Sequence, residues 1–285
     1  MNVIAGIVTY NPEINRLNEN ISRLLKQCQE IVIVDNNSPN IECIREIIEE
    51  NKNISLICNN RNLGIAKALN QLLEVAYVRG FKWILTMDQD SLLLPGIVER
   101  YVEFENDKSV AMVTCTIQER NDTETTKSRN ETAYENVRKC ITSGCYTNVE
   151  AVMQVGLFDE SYFIDYVDFD MCYRLLLQGY QIIKVNHVGL LHSTGALEPF
   201  RVMGKNVKVG KRNIYIYHEN PIRIFYFFRN TVYFWRKYGW RGREFTNPLH
   251  IAWRALLVVL YETPKAEKIK MIFRGIRDGC RKEIV

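Results

Sequence analysis

The hydrophobic and polar positions of the first 115 residues alternate between two periods. Apolar residues at helical spacing, as in Ile41 to Glu50 and Ile65 to Val78, predict helices. Between the helices, short apolar runs rich in β-branched residues predict strands, at 3–9, 31–34, 54–58, 83–87 and 110–116. Strands that alternate with helices form right-handed βαβ units. The pattern therefore predicts an α/β fold with a doubly wound, mostly parallel sheet and helices on both faces.

The pattern changes in the second half of the chain. Gln118 to Arg138 is polar and predicts a mobile loop or an insertion. A further strand is expected at Gln181 to Val185, and after Pro221 the sequence becomes helical and aromatic. We therefore expect an α/β domain over residues 1–215 and a helical region over 216–285.

The net charge of +4 is distributed unevenly. Residues 201–285 carry 19 Lys and Arg against 6 Asp and Glu, a balance of +13, so the first 200 residues have a balance of −9. A basic C-terminal third favours phosphate groups or an anionic membrane surface as partners, and a solvated lysine-rich surface is the alternative. The longest apolar run, Ala255 to Tyr261, is too short to span a bilayer.

The N-terminus and the cysteines indicate the cellular compartment of the protein. Met1 to Ile4 shows neither the basic region nor the cleavage site of a secretion signal. The eight cysteines are scattered and form no CxxC pair, which is typical of reduced thiols that pack as small core residues. We expect a cytoplasmic protein, with peripheral attachment at the inner face of the cell membrane as an open alternative.

Two carboxylates separated by one residue follow the fourth predicted strand, in Asp88-Gln89-Asp90. In doubly wound sheets, ligands bind at the carboxyl ends of the strands. Mg²⁺ or Mn²⁺ bridged to phosphates commonly uses one or two carboxylates as ligands. An exposed acidic turn is the alternative. The strand-end position favours a metal site at Asp88 and Asp90, where one carboxylate can also hold a ribose.

Other polar residues follow the first two predicted strands. Asp35 ends the second strand, where a carboxylate can accept hydrogen bonds from a base or a ribose hydroxyl. Thr9, Tyr10 and Asn11 follow the first strand, and Asn11 is also predicted to cap the helix that Pro12 begins. These four residues are candidate nucleotide contacts, with an ordinary turn as the alternative for Asp35. Neither a GxGxxG fingerprint nor a Walker A loop occurs.

The segment from Asn60 to Asn70 opens a helix after the third predicted strand. Gly64 permits close approach of the backbone, and a helix N-terminus attracts phosphate. Asn62, Gly64 and Lys67 are therefore candidate contacts to a phosphate-bearing donor. A capped helix that packs tightly on the sheet is the competing interpretation.

Four blocks, in this order along the chain, resemble family two glycosyltransferases. The blocks are Gly6 to Pro12, Val34 to Ser38, Asn62-Leu63-Gly64 and Asp88-Gln89-Asp90. The resemblance covers about the first 240 residues, and Tyr162 to Asp170 is similar to the bacterial rhamnosyltransferase branch. It implies the GT-A fold, a nucleotide-diphosphate sugar donor, Mg²⁺ or Mn²⁺ as cofactor, and inversion at the anomeric carbon. The domain over 1–215 would then bind the donor and catalyse transfer.

The resemblance also implies a catalytic base. Inverting transfer needs a carboxylate that removes the proton of the acceptor hydroxyl. Many relatives carry Glu-Asp where this chain has Val167-Asp168, so the match assigns the base to Asp168. The Val in place of Glu keeps Asp165 as an alternative. Asp170 is a candidate acceptor contact, and capping of a helix is its competing role.

Three downstream residues are assigned by the same resemblance. His192, in a His-x-x-Gly setting, is a third candidate for the metal or the diphosphate, although a histidine among apolar residues is commonly structural. Arg223 and Arg229 lie in segments similar to later blocks of the rhamnosyltransferase branch. Arginine suits diphosphate or acceptor phosphate, so both are candidate contacts.

The function implied is transfer of a sugar to a hydroxyl of a saccharide or lipid-linked saccharide in bacterial cell-surface polysaccharide synthesis. The rhamnosyltransferase branch points to dTDP-L-rhamnose as donor, and no nucleic acid is expected as partner. A sugar-phosphate nucleotidyltransferase is one alternative, but Thr9 to Pro12 is not the Gly-rich, Arg-bearing loop that it needs. A non-enzymatic nucleotide- or membrane-binding protein is another. The apolar stripes of the C-terminal region fit either a membrane surface or a homodimer interface.

Overall fold

A computed structural model describes residues 2–49, 51–119, 132–192, 197–202, 205–209, 212–213, 215–217 and 219–284. The chain divides into two compact units. The first unit comprises Met1–Phe163 and Val167–Ser193, and the second comprises Ile164–Tyr166 and Thr194–Val285. The domain boundary expected near residue 215 stays a prediction.

Over residues 4–88 the first unit alternates strands and helices as the sequence pattern predicts. Its strands are β1 (Ile4–Thr9), β2 (Glu30–Asp35), β3 (Ile54–Cys58), β4 (Trp83–Asp88), β5 (Leu92–Leu93), β6 (Val110–Glu119), β7 (Tyr134–Val137), β8 (Cys145–Asn148) and β9 (Gln181–His192). Its helices are α1 (Ile14–Leu24), α2 (Ile41–Glu49), α3 (Ile65–Val78), α4 (Ile97–Val102), α5 (Val149–Gln154) and α6 (Val167–Leu177).

The strands of this unit form one sheet in the order β3-β2-β1-β4-β8-β6-β9-β5, with β7 also paired to β9. The pairs among β1, β2, β3 and β4 are parallel, as is the pair of β6 with β9. The remaining pairs are antiparallel.

Helices cover both faces of the sheet. The side chains that alternate along β1 show this. Ala5 and Ile7 share a core with Leu17 and Ile21 of α1. Gly6 points the other way, where a Cβ atom would lie 2.8 Å from Leu72 Cδ1 of α3. Successive residues of a strand face opposite sides, so α1 and α3 lie on opposite faces.

The strand order reverses next to β1. The chain runs outward from β1 to β2 and β3, and then returns to place β4 on the other side of β1. Val8 is in register with Asp88, so the two strands end together. This is the topological switch point at which open α/β sheets bind ligands.

The structure differs from the sequence predictions in three local features. Asn11 does not cap α1: Glu13 does, accepting from the Asn15 N–H at 3.1 Å, and Asn11 adopts a positive φ of 50°. The predicted loop over 118–138 is partly strand, because β7 pairs with β9. Residues 120–131 of that loop lie outside the described residues. β9 extends seven residues beyond the predicted Val185, to His192.

The second unit combines short strands with a helical segment. Its strands are β10 (Leu197–Pro199), β11 (Arg201–Val202), β12 (Lys205–Asn206), β13 (Lys208–Val209), β14 (Arg212–Asn213) and β15 (Tyr215–Tyr217). Its helices are α7 (Pro221–Tyr238), a 3₁₀ helix (Gly239–Glu244), α8 (Pro248–Tyr261) and α9 (Lys265–Arg281). A core of Ile224, Phe228, Ile251, Val258 and Ile272 joins the three α-helices.

Candidate active site

The ends of β4 and β9 bring three metal-ligand side chains of the first unit together. One ligand atom from each of Asp88, Asp90 and His192 lies within 4.8 Å of the other two. All three residues are partly exposed, so an ion could reach them. Two carboxylates and one imidazole suit Mn²⁺ and, through the oxygens, Mg²⁺. The cluster therefore fits the divalent metal that the sequence implied.

Neighbouring groups orient this cluster. The Ser91 hydroxyl lies 2.8 Å from His192 Nδ1, so Nε2 is the ring nitrogen that remains for a metal. The Asp88 N–H donates to Ser143 Oγ at 3.0 Å, and the Asp88 carbonyl accepts from Asn20 at 2.9 Å. Such supporting hydrogen bonds commonly fix the orientation of metal ligands.

Asp35 is buried at the end of β2 and organises the loop that follows. Its carboxylate accepts from the Thr9 hydroxyl at 2.9 Å, and from the Ser38 N–H at 2.8 Å. The Ser38 hydroxyl donates to the same carboxylate and accepts from the Asn11 N–H at 2.8 Å. Asp35 thus connects the ends of β1 and β2, and its contact to a nucleotide stays a prediction.

Tyr10 lies across the switch point from Gln89. The Tyr10 N–H donates to Gln89 Oε1 at 2.8 Å, and Gln89 Nε2 donates back to the Tyr10 carbonyl at 3.3 Å. This reciprocal pair joins the segment after β1 to the acidic segment after β4. The Tyr10 side chain is exposed beside it. An exposed aromatic ring at this edge of the sheet is available to a nucleotide base.

Gly64 shapes the entry to α3. It adopts φ 84°, and a Cβ atom there would lie 2.6 Å from the Phe163 carbonyl oxygen, so no other residue fits without a shift of the backbone. The Asn62 side chain accepts from the Gly64 N–H at 2.9 Å and holds the turn. Lys67, in the first turn of α3, pairs with Glu160 at 3.0 Å.

A pocket of about 630 Å³ lies beside this turn in the first unit. It is lined by Asn60, Arg61, Leu63, Lys67 and Glu160. Arg61 and Lys67 give the pocket two cations against the single carboxylate of Glu160. Its charge therefore suits the phosphate-bearing donor that the sequence predicts near α3.

Asp168 and Asp170 lie in the first turn of α6 but in different surroundings. Asp168 is half-buried, and its carboxylate accepts from the Phe169 N–H at 2.9 Å. Asp170 is fully buried and pairs with Arg174 at 2.8 Å. Arg174 also donates to the carbonyls of Val155 and Leu157. Asp170 therefore has a structural partner, and this arrangement favours packing over the predicted acceptor contact.

Asp165 lies in a strained segment of the second unit. Asp165 and Tyr166 have φ values of 63° and 67°, which are costly for residues other than glycine. Asn230 of α7 donates to the carbonyls of Ile164 and Asp165, at 2.7 and 2.9 Å. The Tyr166 hydroxyl contacts Thr231 Oγ1 at 2.7 Å. Two adjacent residues of α7 thus hold the strained conformation, which is typical of functional loops.

The two predicted arginines have different environments in the second unit. Arg223 is half exposed, and its guanidinium donates to Asp165 at 3.2 Å. Burial raises the pKa of the Asp165 carboxyl above its usual range, Arg223 opposes this shift, and Glu219 adds to it. Arg229 is buried, donates to Asn230 Oδ1 at 2.8 Å and stacks on Tyr226. The ligand contact of Arg223 stays a prediction, whereas Arg229 supports Asn230.

Four supporting residues were not predicted as part of the site. They are Ser91, Ser143, Glu160 and Asn230. Each acts through a contact that is distant in sequence, such as the 101 residues that separate Ser91 from His192. Ser91 directly follows Asp90, and Asn230 directly follows Arg229, so their neighbours in sequence were the available signals.

Residues 5–161 match the family described as Glycosyl transferase family 2, which is more than half of the chain. The chain belongs to glycosyl transferase family 2. This glycosyltransferase is 32% identical over 251 residues to the dTDP-rhamnosyl transferase RfbF of Shigella flexneri. That similarity covers 83% of this chain and 80% of the relative.

Solved structures confirm the GT-A fold of this glycosyltransferase. The crystal structure of residues 1–349 of TarS from S. aureus matches with a TM-score of 0.56 and 13% identity, over 98% of this chain and 71% of that one. GalNAc-T7 with UDP, GalNAc and Mn²⁺ matches with a TM-score of 0.63 and 12% identity, over 98% of this chain and 56% of that one. At these identities the likeness concerns the fold alone.

The cluster predicts the behaviour of a conservative variant. Asp90→Asn removes one anionic ligand and keeps the size of the side chain, so we expect it to weaken Mn²⁺-dependent binding of dTDP by about tenfold or more. Calorimetric titration of dTDP with and without Mn²⁺ measures this. Asp107→Asn, an exposed acid elsewhere in the first unit, is the control. Unchanged Mn²⁺ dependence in Asp90→Asn would remove Asp90 from the metal site.

Proposed function

We propose that this glycosyltransferase is a metal-dependent, inverting rhamnosyltransferase. It would transfer L-rhamnose from dTDP-L-rhamnose to a hydroxyl of a saccharide or lipid-linked saccharide in bacterial cell-surface polysaccharide synthesis. The observation that carries the metal-dependent transfer is the grouping of Asp88, Asp90 and His192 at the switch point of the sheet. The relative named a dTDP-rhamnosyl transferase supports the choice of donor.

The donor would bind along the carboxyl ends of the parallel strands. Thr9, Tyr10, Asn11 and Asp35 lie at the ends of β1 and β2, where the base and the ribose would be recognised. Asn62, Gly64 and Lys67 lie at the N-terminus of α3, whose positive dipole end favours phosphate. Both groups belong to the first unit, as does the metal cluster.

The metal residues would act on the leaving group. Asp88, Asp90 and His192 would hold Mg²⁺ or Mn²⁺, and Ser91 would keep the His192 ring in position. When bound, the cation would offset the negative charge that develops on the departing diphosphate. The carboxylates would keep the donor in one orientation, so that the acceptor approaches from the opposite face of the sugar.

The proton of the acceptor hydroxyl would go to a carboxylate. We assign this role to Asp168, with Asp165 as the alternative. Asp168 is supported by its match to the family pattern and its partial exposure at the start of α6. Asp165 is supported by its strained backbone and by the raised pKa of its carboxyl.

The identity of the donor is tested by measuring how far each nucleotide sugar raises the Tm of the protein. Ligands that bind only the native state raise stability by about 2.7 kcal/mol at a hundredfold excess over Kd. We expect dTDP-L-rhamnose with Mn²⁺ to raise Tm, and UDP-GlcNAc to raise it less. Asp90→Asn is the control that should lose the Mn²⁺-dependent part of the shift. A larger shift with UDP-GlcNAc than with dTDP-L-rhamnose would contradict the rhamnosyl assignment.

The two candidate bases are separated by matched substitutions. Asp168→Asn keeps the size of the side chain but cannot accept the proton, so transfer should fall by about 10²–10⁴-fold while donor binding is retained. Asp165→Asn should have a smaller effect. Single-turnover rates of both variants measure this, with donor Kd as the control. A large loss in Asp165→Asn with near-normal Asp168→Asn would move the assignment to Asp165.

A further inference from the structure

One helix of the second unit presents an apolar face to solvent. Leu249, Trp253, Leu256 and Leu260 of α8 recur at helical spacing, and all four are exposed. Leu249 is 79% exposed, which is unusual for a leucine within a helix. The opposite face of α8 packs Ile251 and Val258 into the core of the three helices. We call the exposed stripe of these four residues the α8 face.

The α8 face carries no ionisable side chain. The ionisable residues of α8 are His250, Arg254 and Tyr261, and none of them is one of these four residues. Arg254 points into the unit, where it pairs with Glu262, and Lys268 pairs with the same Glu262 at 2.7 Å. These three charged groups are buried and balance one another in part. The α8 face is therefore a purely apolar surface about 17 Å long, at about 1.5 Å per helical residue.

Basic and aromatic side chains flank the α8 face along the chain. Trp240 is 72% exposed in the 3₁₀ helix before α8, and the Arg243 guanidinium lies 4.5 Å from the centre of its ring. On α9, Phe273 is 70% exposed and has Arg274 beside it in sequence. Tryptophan and arginine beside an apolar stripe are the composition of helices that lie in a lipid–water interface.

The net positive charge of residues 239–284 favours an anionic membrane surface over a second copy of the chain as the partner of the α8 face. Residues 239–284 carry ten Lys and Arg against five Asp and Glu, and residues 245–261 contain no acid. A second copy of the chain that docked through the same segment would bring the same positive charge to the contact and would be repelled. A surface of anionic lipid headgroups attracts this charge, and its acyl region accepts the apolar stripe.

None of the described helices is long and apolar enough to cross a membrane. We infer that the α8 face, flanked by these basic residues, docks the protein on an anionic membrane surface with α8 lying in the plane of the interface. The inference does not depend on the proposed rhamnosyl transfer, because it rests on the surface of the second unit alone.

Vesicle co-sedimentation of the full chain tests the inference. We expect binding to vesicles of phosphatidylglycerol and phosphatidylcholine, and little binding to phosphatidylcholine alone. Binding should weaken as sodium chloride rises from about 50 mM to about 500 mM, because salt screens the charges. Equal binding to neutral vesicles, or no binding to either, would overturn the inference.

A matched pair of variants tests the α8 face itself. The double substitution Leu256→Glu and Leu260→Glu should lower the partition coefficient on anionic vesicles by about tenfold or more. The control, Val78→Glu with Leu177→Glu, changes two exposed apolar residues of the first unit. It should leave the partition coefficient within about twofold of the value for the unaltered chain. Both proteins should keep the Tm of the unaltered chain, since all four positions are exposed.

The same variants distinguish membrane docking from a contact between two copies of the chain at the α8 face. If the unaltered chain is a dimer and the Leu256 and Leu260 substitutions make it a monomer without changing vesicle binding, the α8 face is a contact between copies and the inference is wrong. If the double substitution leaves both vesicle binding and oligomeric state unchanged, α8 is not the docking element, and the inference is equally wrong.

Discussion

The parallel pairing of β1 with β4 is the constraint on which the rest of the first unit depends. Val8 and Asp88 share one register, so the polar segments that follow the two strands leave the sheet side by side. The reciprocal hydrogen bonds of Tyr10 with Gln89 then join these segments. A slip of one residue would turn each side chain of β4 to the other face of the sheet and would move the acidic pair away from the switch point.

Much of this arrangement could be predicted from local sequence. The β-branched runs place the first four strands to within a residue or two, because each run is bounded by polar turn residues. Asp88, Asp90 and Asp35 were found as site residues because they lie at or just after the ends of buried strands. Their positions follow from local periodicity and the general rule for parallel sheets.

The remainder depends on contacts between distant residues. His192 reaches the acidic pair only because β9 continues seven residues past its expected end and pairs beside β5 and β6. The strained backbone at Asp165 and Tyr166 depends on Asn230 and Thr231, which lie more than 60 residues later. No local pattern marks such partners. The apolar run of α8 was visible in the sequence, but not which of its faces is exposed.

The sheet brings together residues as distant as Asp88 and His192, and we propose that they form one metal site. The Mn²⁺ affinity of the protein in the presence of dTDP, measured by electron paramagnetic resonance, tests it most directly. His192→Gln should lower the Mn²⁺ affinity by about tenfold or more, because it removes the imidazole that Ser91 orients. His187→Gln, at an exposed position of the same strand, should leave the affinity unchanged. An unchanged affinity in His192→Gln would contradict the account.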